Sequence, residues 1–515
     1  MVIELAAVRL IAPWFGTSLV VWSNVIAVVL LGLSIGYLLG ARLSCGARPA
    51  THLVTLLAIG ALATAWTPQI AGPVAAWFVP VGLTLDRALE VFRWGSLATS
   101  LCLFLTPALV LGGVGPLITE LLVRSAHLHA GDAGGRVLFA STLGSLAGVF
   151  GTSYWAVPTL GMRWTFFGAA LLLCLAGLLA LFLRRRGASL GLLPVLAVFL
   201  LGGTLPLEPL AAQPGFETLA VGESPYQRVR VVAEEAGPRR FLQVNEASNS
   251  FQSVWQPEVG LLDGDYYYND FVLPAWWAAV EPTAAAVRPW RALCVGMGAG
   301  TAKRVLEGAL PAGFELAFSG IELDPLIVEM GRAWCDLESG PRDLLIAGLD
   351  GRAAMRSLAP GFDQIIVDAY TNQIEIPPHL TTREFFRELG TKLAPGGWIQ
   401  INVGGDGPGA PLVTALAGTL SRALDTPVLI SQVPGTRNLI VTARPSGTLP
   451  VPTAADWRTD ALPAEIRALL SGRDVRGQWA WIGPNSPVDL VLTDDRAPIE
   501  LLEVRSLARR ATGGR

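Results

Sequence analysis

The chain has 515 residues, of which 52% are hydrophobic and only 15% are charged, and its mean hydropathy is +0.48. This composition excludes an ordinary soluble protein and indicates a membrane protein that is long enough for a second, soluble domain. The net charge is −3 and the cations are mostly arginines, so no basic stripe points to nucleic acid. The five cysteines lack CxxC spacing, so we expect neither a disulfide framework nor a metal site.

The first 205 residues consist mainly of apolar segments separated by short links that carry arginine. Six segments are near the roughly 20 residues that a helix needs to cross a hydrocarbon core. They lie at 17–41, 51–67, 95–118, 137–157, 164–183 and 189–205. A further segment at 70–85 contains two prolines and is interpreted either as a seventh span or as an interfacial or re-entrant piece. We therefore predict a transmembrane bundle of six or seven helices over 1–205.

Two glycine-rich stretches lie within these apolar segments, at 31–40 and 143–151. Small residues at near-helical spacing let neighbouring helices approach closely in a membrane. We therefore expect tight helix packing at both stretches rather than a pore.

The composition changes after the membrane segments. Three prolines predict a linker at 206–216, and short alternating runs such as 228–232 predict a small β domain at 217–280. Strands and helices then alternate over 281–515. The predicted strands lie near 291–296, 317–323, 343–347, 363–368, 397–403 and 428–432. This rhythm predicts an α/β domain with a parallel, doubly wound, Rossmann-like sheet.

A glycine-rich turn ends the first of these strands, and an acidic residue ends the second. Gly296, Gly298 and Gly300 have no side chains, so a ligand can approach the backbone and a helix N-terminus there. Glu322, roughly twenty residues further on, lies where a carboxylate accepts both ribose hydroxyls. Asp350, in the loop after the third strand, is expected beside an adenine amino group. These residues predict a nucleoside site, and the alternative is a sheet with incidental acids at its strand ends.

Asp368 ends the fourth predicted strand, beside the place where the reactive carbon of a cofactor would lie. A carboxylate there can orient an attacking amine or accept its proton, because the amine lone pair must be free for displacement at a sulfonium carbon. We therefore predict a catalytic role for Asp368. The alternative is a strand-end cap.

Ordered motifs along nearly the whole chain resemble the spermidine synthase family of aminopropyltransferases, and in particular its members that are fused to membrane helices. The matching stretches include 9–18, 135–145, 224–227, 379–382, 393–397 and 492–500. The resemblance implies a class I methyltransferase-like fold with an N-terminal β domain. It also implies transfer of an aminopropyl group from decarboxylated S-adenosylmethionine to a diamine or another amine, which leaves methylthioadenosine.

The resemblance implies further site residues. Gln227 would contact the cofactor, while Glu322 would hold the ribose and Asp350 the adenine. The tyrosines at 266–268 match the family's tyrosine near the amine pocket, although aromatic core under the β domain is an equal alternative. The substrate-binding candidates are Tyr266, Tyr267 and Tyr370.

Two departures weaken the polyamine interpretation. Ala299 stands where the family has an aspartate for the ammonium group of the donor, and Thr371 stands where a second aspartate grips the diamine. A dication needs opposing carboxylates, because desolvating an unpaired ammonium group costs several kcal/mol. Asp494, Asp495 and Glu500 either replace these acids or form a surface turn.

Three functions are therefore weighed. We favour an aminopropyltransferase that uses decarboxylated S-adenosylmethionine. The alternatives are an S-adenosylmethionine-dependent methyltransferase with a membrane-associated acceptor, and a noncatalytic scaffold that retains the fold. The expected partners are the lipid bilayer and a small-molecule amine, and the sequence leaves open a homodimer or partner proteins in the membrane.

We expect a multi-pass protein of the inner membrane whose soluble domain faces the cytoplasm, where S-adenosyl donors are made. The arginine distribution does not decide the topology. Six spans would put the soluble domain outside the cytosol, whereas seven would divide the arginines almost evenly.

Overall fold

The chain folds into two compact units. The computed structural model describes residues 2–15, 19–78, 94–182, 215–244, 251–280, 289–370, 376–446, 449, 462–474 and 479–503. The first unit is Met1–Ala212 with Glu223–Arg228 and Asn245–Ala247, and the second is Gln213–Gly222, Val229–Val244 and Ser248–Arg515. The domain boundaries derived from the sequence stay predictions, and most of the predicted linker lies outside the described residues.

The described part of the first unit is mainly helical. Its helices are α1 (Val2–Phe15), α2 (Leu19–Ser44), α3 (Pro49–Phe78), α4 (Ser96–Gly112), α5 (Val114–Ala126), α6 (Ala130–Gly151) and α7 (Val157–Phe182), with a π-helical turn at Thr152–Ala156. Five helical stretches in the described residues are long and apolar enough to cross a membrane. They are Leu19–Ser44, Pro49–Phe78, Ser96–Ala126, Ala130–Ala156 and Thr159–Phe182.

Five of the six predicted spans correspond to these helical stretches, which confirms a helical, apolar N-terminal part. The sixth, 189–205, lies outside the described residues. The extra candidate at 70–85 is not a separate helix in its described part, because residues 70–78 continue α3 through Pro68 and Pro73. Prolines are tolerated within membrane helices where neighbouring groups satisfy the freed carbonyls. Residues 79–85 lie outside the described part.

Glycines bring α2 and α4 into close backbone contact. A Cβ added at Gly36 would lie 2.1 Å from the carbonyl oxygen of Leu109, and one added at Gly112 would lie 2.5 Å from that of Leu33. Close backbone packing of this kind drives helix association in lipid, where hydrophobic burial adds little. The stretch at 143–151 differs, because Gly144 has no described atom outside its own helix within 4 Å.

Replacement of Gly36 by alanine should therefore destabilise the first unit. An extra methyl group in a packed interface costs about 1–3 kcal/mol, so the thermal midpoint of the detergent-purified protein should fall. Gly144→Ala is the matched control, because it adds the same group to another long apolar helix without a clash. Equal midpoints for the two variants would contradict the packing described here.

The second unit includes a four-stranded sheet with the strand order β1-β2-β3-β4. Its strands are β1 (Phe216–Glu223), β2 (Arg228–Glu234), β3 (Arg240–Val244) and β4 (Ser253–Trp255). β3 pairs antiparallel with both β2 and β4. A 3₁₀ turn at Tyr267–Val272 and the short helix α8 (Leu273–Ala279) follow. The small β segment expected from the alternating sequence is thus present.

An eight-stranded sheet forms the centre of the second unit, in the order β12-β10-β11-β9-β8-β5-β6-β7. Its strands are β5 (Pro289–Val295), β6 (Glu315–Glu322), β7 (Leu344–Ala347), β8 (Phe362–Val367), β9 (Leu393–Gly404), β10 (Val428–Gln432), β11 (Asn438–Ala443) and β12 (Trp479–Ile482). The helices are α9 (Thr301–Ala309), α10 (Pro325–Trp334), α11 (Gly351–Ser357), α12 (Arg383–Gly390), α13 (Pro411–Leu424) and α14 (Ala464–Asp474), with a 3₁₀ turn at Pro378–Leu380.

All six predicted strands of this sheet are present, but the prediction of a wholly parallel sheet was wrong. Strands β5 to β9 pair in parallel, whereas β11 pairs antiparallel with β9 and β10, and β12 pairs antiparallel with β10. Only five residues, 433–437, separate β10 from β11, and so short a connection can join only antiparallel neighbours. The α/β class itself is confirmed.

Both faces of the sheet are covered by apolar side chains. In β5, Leu293 and Val295 belong to one core, while Ala292 and Cys294 belong to the other. Alternation along a strand sends successive side chains to opposite faces, so a strand that is buried on both faces must be continuously apolar. This burial fixes the strands whose ends carry the predicted site.

Candidate functional site

The carboxyl ends of the adjacent strands β8, β5, β6 and β7 bring most of the predicted site residues to one edge of the sheet. The glycine turn directly follows β5, Glu322 ends β6, Asp350 lies shortly after β7 and Asp368 follows β8. All of them belong to the second unit. Ligands in open α/β sheets bind at this edge, so the arrangement is that of a small-molecule site.

The glycine turn is fixed against both neighbouring strand ends. Gly296, Gly298 and Gly300 have φ angles of +85°, +55° and +93°. A Cβ at Gly296 would lie 2.4 Å from the carbonyl oxygen of Asp368, so only glycine allows the turn to approach that strand end. The N–H of Gly298 donates to Oε2 of Glu322 at 3.0 Å. The turn is therefore in contact with both predicted acids.

Glu322 is buried and held by backbone donors. Its Oε1 accepts from the N–H of Asp324 at 3.1 Å, and its Oε2 accepts from Gly298. Burial raises the pKa of Glu322 to about 7, although these N–H groups oppose the shift. A carboxylate offers about four lone-pair sites, so Glu322 keeps acceptor capacity for the hydroxyl groups of a ligand.

Asp350 caps the N-terminus of α11. Its Oδ1 accepts from the N–H groups of Arg352 and Ala353, both at 3.0 Å, and its Oδ2 lies 2.8 Å from Nε2 of His379. Burial acts to raise the pKa of Asp350, but the N–H of Ala353 and the imidazole of His379 outweigh burial, so the pKa is lowered. Asp350 is therefore an ionised acceptor at neutral pH.

Asp368 is buried with a hydrogen-bond donor on each oxygen. The hydroxyl of Tyr267 donates to Oδ2 at 3.0 Å, and Nδ2 of Asn402 donates to Oδ1 at 2.9 Å. Burial raises the pKa of Asp368 to about 6, although both hydrogen bonds oppose the shift. A carboxylate with this pKa is ionised at pH 7 and still basic enough to take a proton, as a general base must.

The structure separates the tyrosines that the sequence grouped together. Tyr267 contacts Asp368, whereas the hydroxyl of Tyr266 lies 3.5 Å from Nη1 of Arg239 and is not brought to Asp368. Tyr370 donates to the backbone carbonyl of Asn402 at 3.1 Å. Tyr267 and Tyr370 thus lie close to Asp368, and Tyr266 does not.

Asn402 was missed by the sequence analysis. It lies near the end of β9, next to β8, and it is 2% exposed. A signal was present, because Gln400 and Asn402 are amides within an otherwise apolar strand, and buried amides need hydrogen-bond partners. Ser253 was also missed, and its Oγ accepts from the N–H of Ala299 at 2.9 Å.

The acids of the C-terminal motif were expected either to replace the missing aspartates or to form a surface turn. Asp494 accepts from both terminal nitrogens of Arg352, at 2.7 and 2.9 Å, and from the hydroxyl of Thr382 at 2.6 Å. Arg352 also binds Glu388 of α12. Asp494 is therefore committed to an ion pair that connects the motif to α11 and α12, which is a structural role.

The site geometry does not test several of the residues that the sequence singled out. Gln227 belongs to the first unit, where its backbone N–H donates to Oγ of Ser224 at 3.0 Å, so its cofactor contact stays a prediction. Thr371 lies outside the described residues. Among the residues that the structure describes, no group of three or more potential metal ligands is brought together.

The chain is similar in sequence to curated polyamine aminopropyltransferases. It is 28% identical over 300 residues to a probable polyamine aminopropyl transferase of Bifidobacterium longum, with 56% of this chain and 62% of that protein covered. It is 27% identical over 433 residues to a polyamine aminopropyltransferase of Mycobacterium tuberculosis, with 78% and 75% covered. The chain is thus similar to spermidine synthase-like proteins.

Solved structures also match part of the chain. A probable spermidine synthase from Corynebacterium glutamicum superposes with a TM-score of 0.39 at 20% identity, over 51% of this chain and 95% of that one. No protein-family model matches the chain. The match spans less than two thirds of the Bifidobacterium relative. The activity and the substrates of this chain are therefore a matter for proposal.

Replacement of Tyr267 by phenylalanine should destabilise the protein more at pH 8 than at pH 5. The pKa of Asp368 is about 6 in the folded protein, above its value in the unfolded chain. Protonated Asp368 therefore stabilises the folded state below the unfolded pKa, and this stabilisation is lost as the pH rises through about 6. Above pH 6 the lost hydrogen bond is one to an ionised carboxylate, worth about 1.5–3 kcal/mol, and below pH 6 it is a weaker neutral bond.

Thermal midpoints of the detergent-purified variants at the two pH values measure this difference. Tyr266→Phe is the matched control, because its hydroxyl does not bind Asp368. An equal loss of stability at both pH values in Tyr267→Phe would contradict the assigned contact.

Proposed function

We propose that this protein is a membrane-integrated aminopropyltransferase. It transfers the aminopropyl group of decarboxylated S-adenosylmethionine to an amine and releases methylthioadenosine. The observation that carries the proposal is the convergence of the glycine turn, Glu322 and Asp368 on one sheet edge, in a chain whose relatives are polyamine aminopropyltransferases. The five long apolar helical stretches support membrane integration, and donor supply inside cells supports a cytoplasmic site.

The ribose and the adenine of the donor each have a carboxylate available as a hydrogen-bond acceptor. Glu322 would accept the ribose hydroxyls, because two backbone N–H groups already hold its carboxylate in place at the end of β6. Asp350 would accept from the adenine amino group at the neighbouring strand end. The glycine turn follows β5, on the side of Glu322 away from Asp350, and its backbone N–H groups already have partners within the protein.

The transfer step needs a free amine lone pair. The amine nitrogen forms a bond to the aminopropyl carbon as the bond from that carbon to sulfur breaks, and the bonding electrons neutralise the sulfonium. The proton lost by the amine would pass to Asp368. Tyr267 and Asn402 hold the two oxygens of this carboxylate in place, so little reorganisation is needed when it acts.

Methyl transfer from S-adenosylmethionine is a second candidate, and one observation favours it. Ala299 is buried and its N–H is bonded to Ser253, so the glycine turn offers no carboxylate to an aminopropyl ammonium group. A cation at that point would have to be paired by another group. Relatives named for aminopropyl transfer favour the first candidate.

Asp368→Asn should abolish transfer and leave nucleoside binding nearly intact. Loss of the general base costs about a hundredfold or more in turnover, whereas the ribose and adenine contacts remain. The measurement is methylthioadenosine release from decarboxylated S-adenosylmethionine with putrescine as the first acceptor. Asp425→Asn is the control, because Asp425 is exposed at the end of α13. Turnover within threefold of the unmodified protein would remove Asp368 from catalysis.

Methylthioadenosine should bind more weakly as the pH falls from 8 to 6. The pKa of Glu322 is about 7, so protonation over this range removes the ionised acceptor of the ribose hydroxyls. Glu322→Gln should weaken binding by about 1–3 kcal/mol and flatten its pH dependence. Titration calorimetry at both pH values measures each effect. An undiminished pH dependence in Glu322→Gln would show that another group is responsible.

A further inference from the structure

The two carboxylate oxygens of Asp350 are not equivalent. Oδ1 receives two backbone N–H groups of α11, and these bonds cap the helix. Oδ2 is 2.8 Å from Nε2 of His379 and receives no other hydrogen bond among the described residues. A ligand N–H that binds this carboxylate without opening the helix cap must therefore reach Oδ2.

His379 and Asp350 are accessible to a ligand. Their side chains are 45% and 41% exposed. The turn that carries His379 is fixed, because Leu380 is buried in the core and Arg352 donates to the backbone carbonyl of His379 at 3.2 Å. The imidazole can thus rotate away from Asp350 while its backbone stays in place.

The protonation of His379 changes the strength of this contact. A neutral imidazole donates one N–H to Oδ2, and a carboxylate oxygen can then accept a second hydrogen bond. An imidazolium forms a charge-assisted bond that is roughly twice as strong. The competition between the imidazole and a ligand N–H for Oδ2 therefore depends on whether the imidazole is charged.

The charged groups around the turn come from three elements. They are Asp350, Arg352 and Arg356 at α11, Arg383, Glu384, Arg387 and Glu388 at α12, and Asp494 in the C-terminal motif. Arg352 binds both Glu388 and Asp494, Arg356 binds Glu388, and Arg383 binds Glu384. Asp350 is the acid that contacts the imidazole itself.

We infer that His379 controls purine recognition. Its imidazole occupies the oxygen of Asp350 that must receive the adenine amino group, and protonation of His379 strengthens this occupation. The inference rests on the proposed function, because it takes Asp350 as the adenine contact. His379 is accordingly a residue that lowers the preference for 6-amino purines, and it does so most strongly when its imidazole is protonated.

The test compares two nucleosides that differ only at the purine. Methylthioadenosine carries a 6-amino group and methylthioinosine a 6-oxo group, while the ribose is the same, so the ratio of their dissociation constants cancels the protonation of Glu322. The ratio is measured by calorimetry at pH 6 and pH 8 on the full chain in detergent. In the unmodified protein the preference for methylthioadenosine should rise by about threefold or more from pH 6 to pH 8.

Two variants of His379 distinguish an imidazole that competes with the ligand for Oδ2 from one that helps the ligand to bind. His379→Ala should make the preference independent of pH and tighten methylthioadenosine binding at pH 6 by about threefold or more, because no imidazolium competes for Oδ2. His379→Gln keeps a neutral donor and should likewise lose the pH dependence. A pH-dependent preference that persists in both variants, or weaker methylthioadenosine binding in His379→Ala at pH 6, would overturn the inference.

Asp350→Asn separates this inference from the proposed function. If the unmodified protein binds neither nucleoside, the proposed function and the inference both fail. If it prefers methylthioadenosine, and Asp350→Asn loses that preference while the His379 variants behave like the unmodified protein, only the inference fails.

Discussion

The parallel pairing of β5 with β6 and β8 is the constraint on which the candidate site depends. This pairing aligns the strand ends, so the glycine turn meets Glu322 on one side and the backbone of Asp368 on the other. The apolar run 292–295 at the end of β5 packs into both cores and fixes the register. A shift of one residue would send core side chains to the wrong face, so packing specifies the site as strongly as it specifies the sheet.

Burial gives the two central acids their chemical character. Desolvation raises the pKa of Glu322 to about 7 and that of Asp368 to about 6, in each case against hydrogen bonds that favour the ionised form. Both groups therefore change charge near neutral pH. The same burial costs stability when the groups ionise, which is typical of functional sites. Asp350, more exposed and held by more donors, shifts the other way.

The sequence predicted the elements that depend on local patterns. Apolar periodicity located the helical stretches and six strands, and strand-end chemistry located the glycine turn, Glu322 and Asp368. Tertiary contacts decided the rest. Whether Tyr266 or Tyr267 reaches Asp368 depends on a 3₁₀ turn that no local pattern fixes. The partner of Asp494 is Arg352, 142 positions away. The sequence motif identified Asp494 as a candidate but did not show that it pairs with Arg352.

The site is proposed to recognise a decarboxylated S-adenosyl donor, and the donor preference of the purified protein tests this claim. Detergent-purified protein is titrated by calorimetry with decarboxylated S-adenosylmethionine, S-adenosylmethionine and methylthioadenosine. We expect the decarboxylated donor and methylthioadenosine to bind at least about tenfold more tightly than S-adenosylmethionine, a difference of about 1.4 kcal/mol. Preference for S-adenosylmethionine would contradict the claim in favour of methyl transfer, and binding of none of the three would indicate a fold without this chemistry.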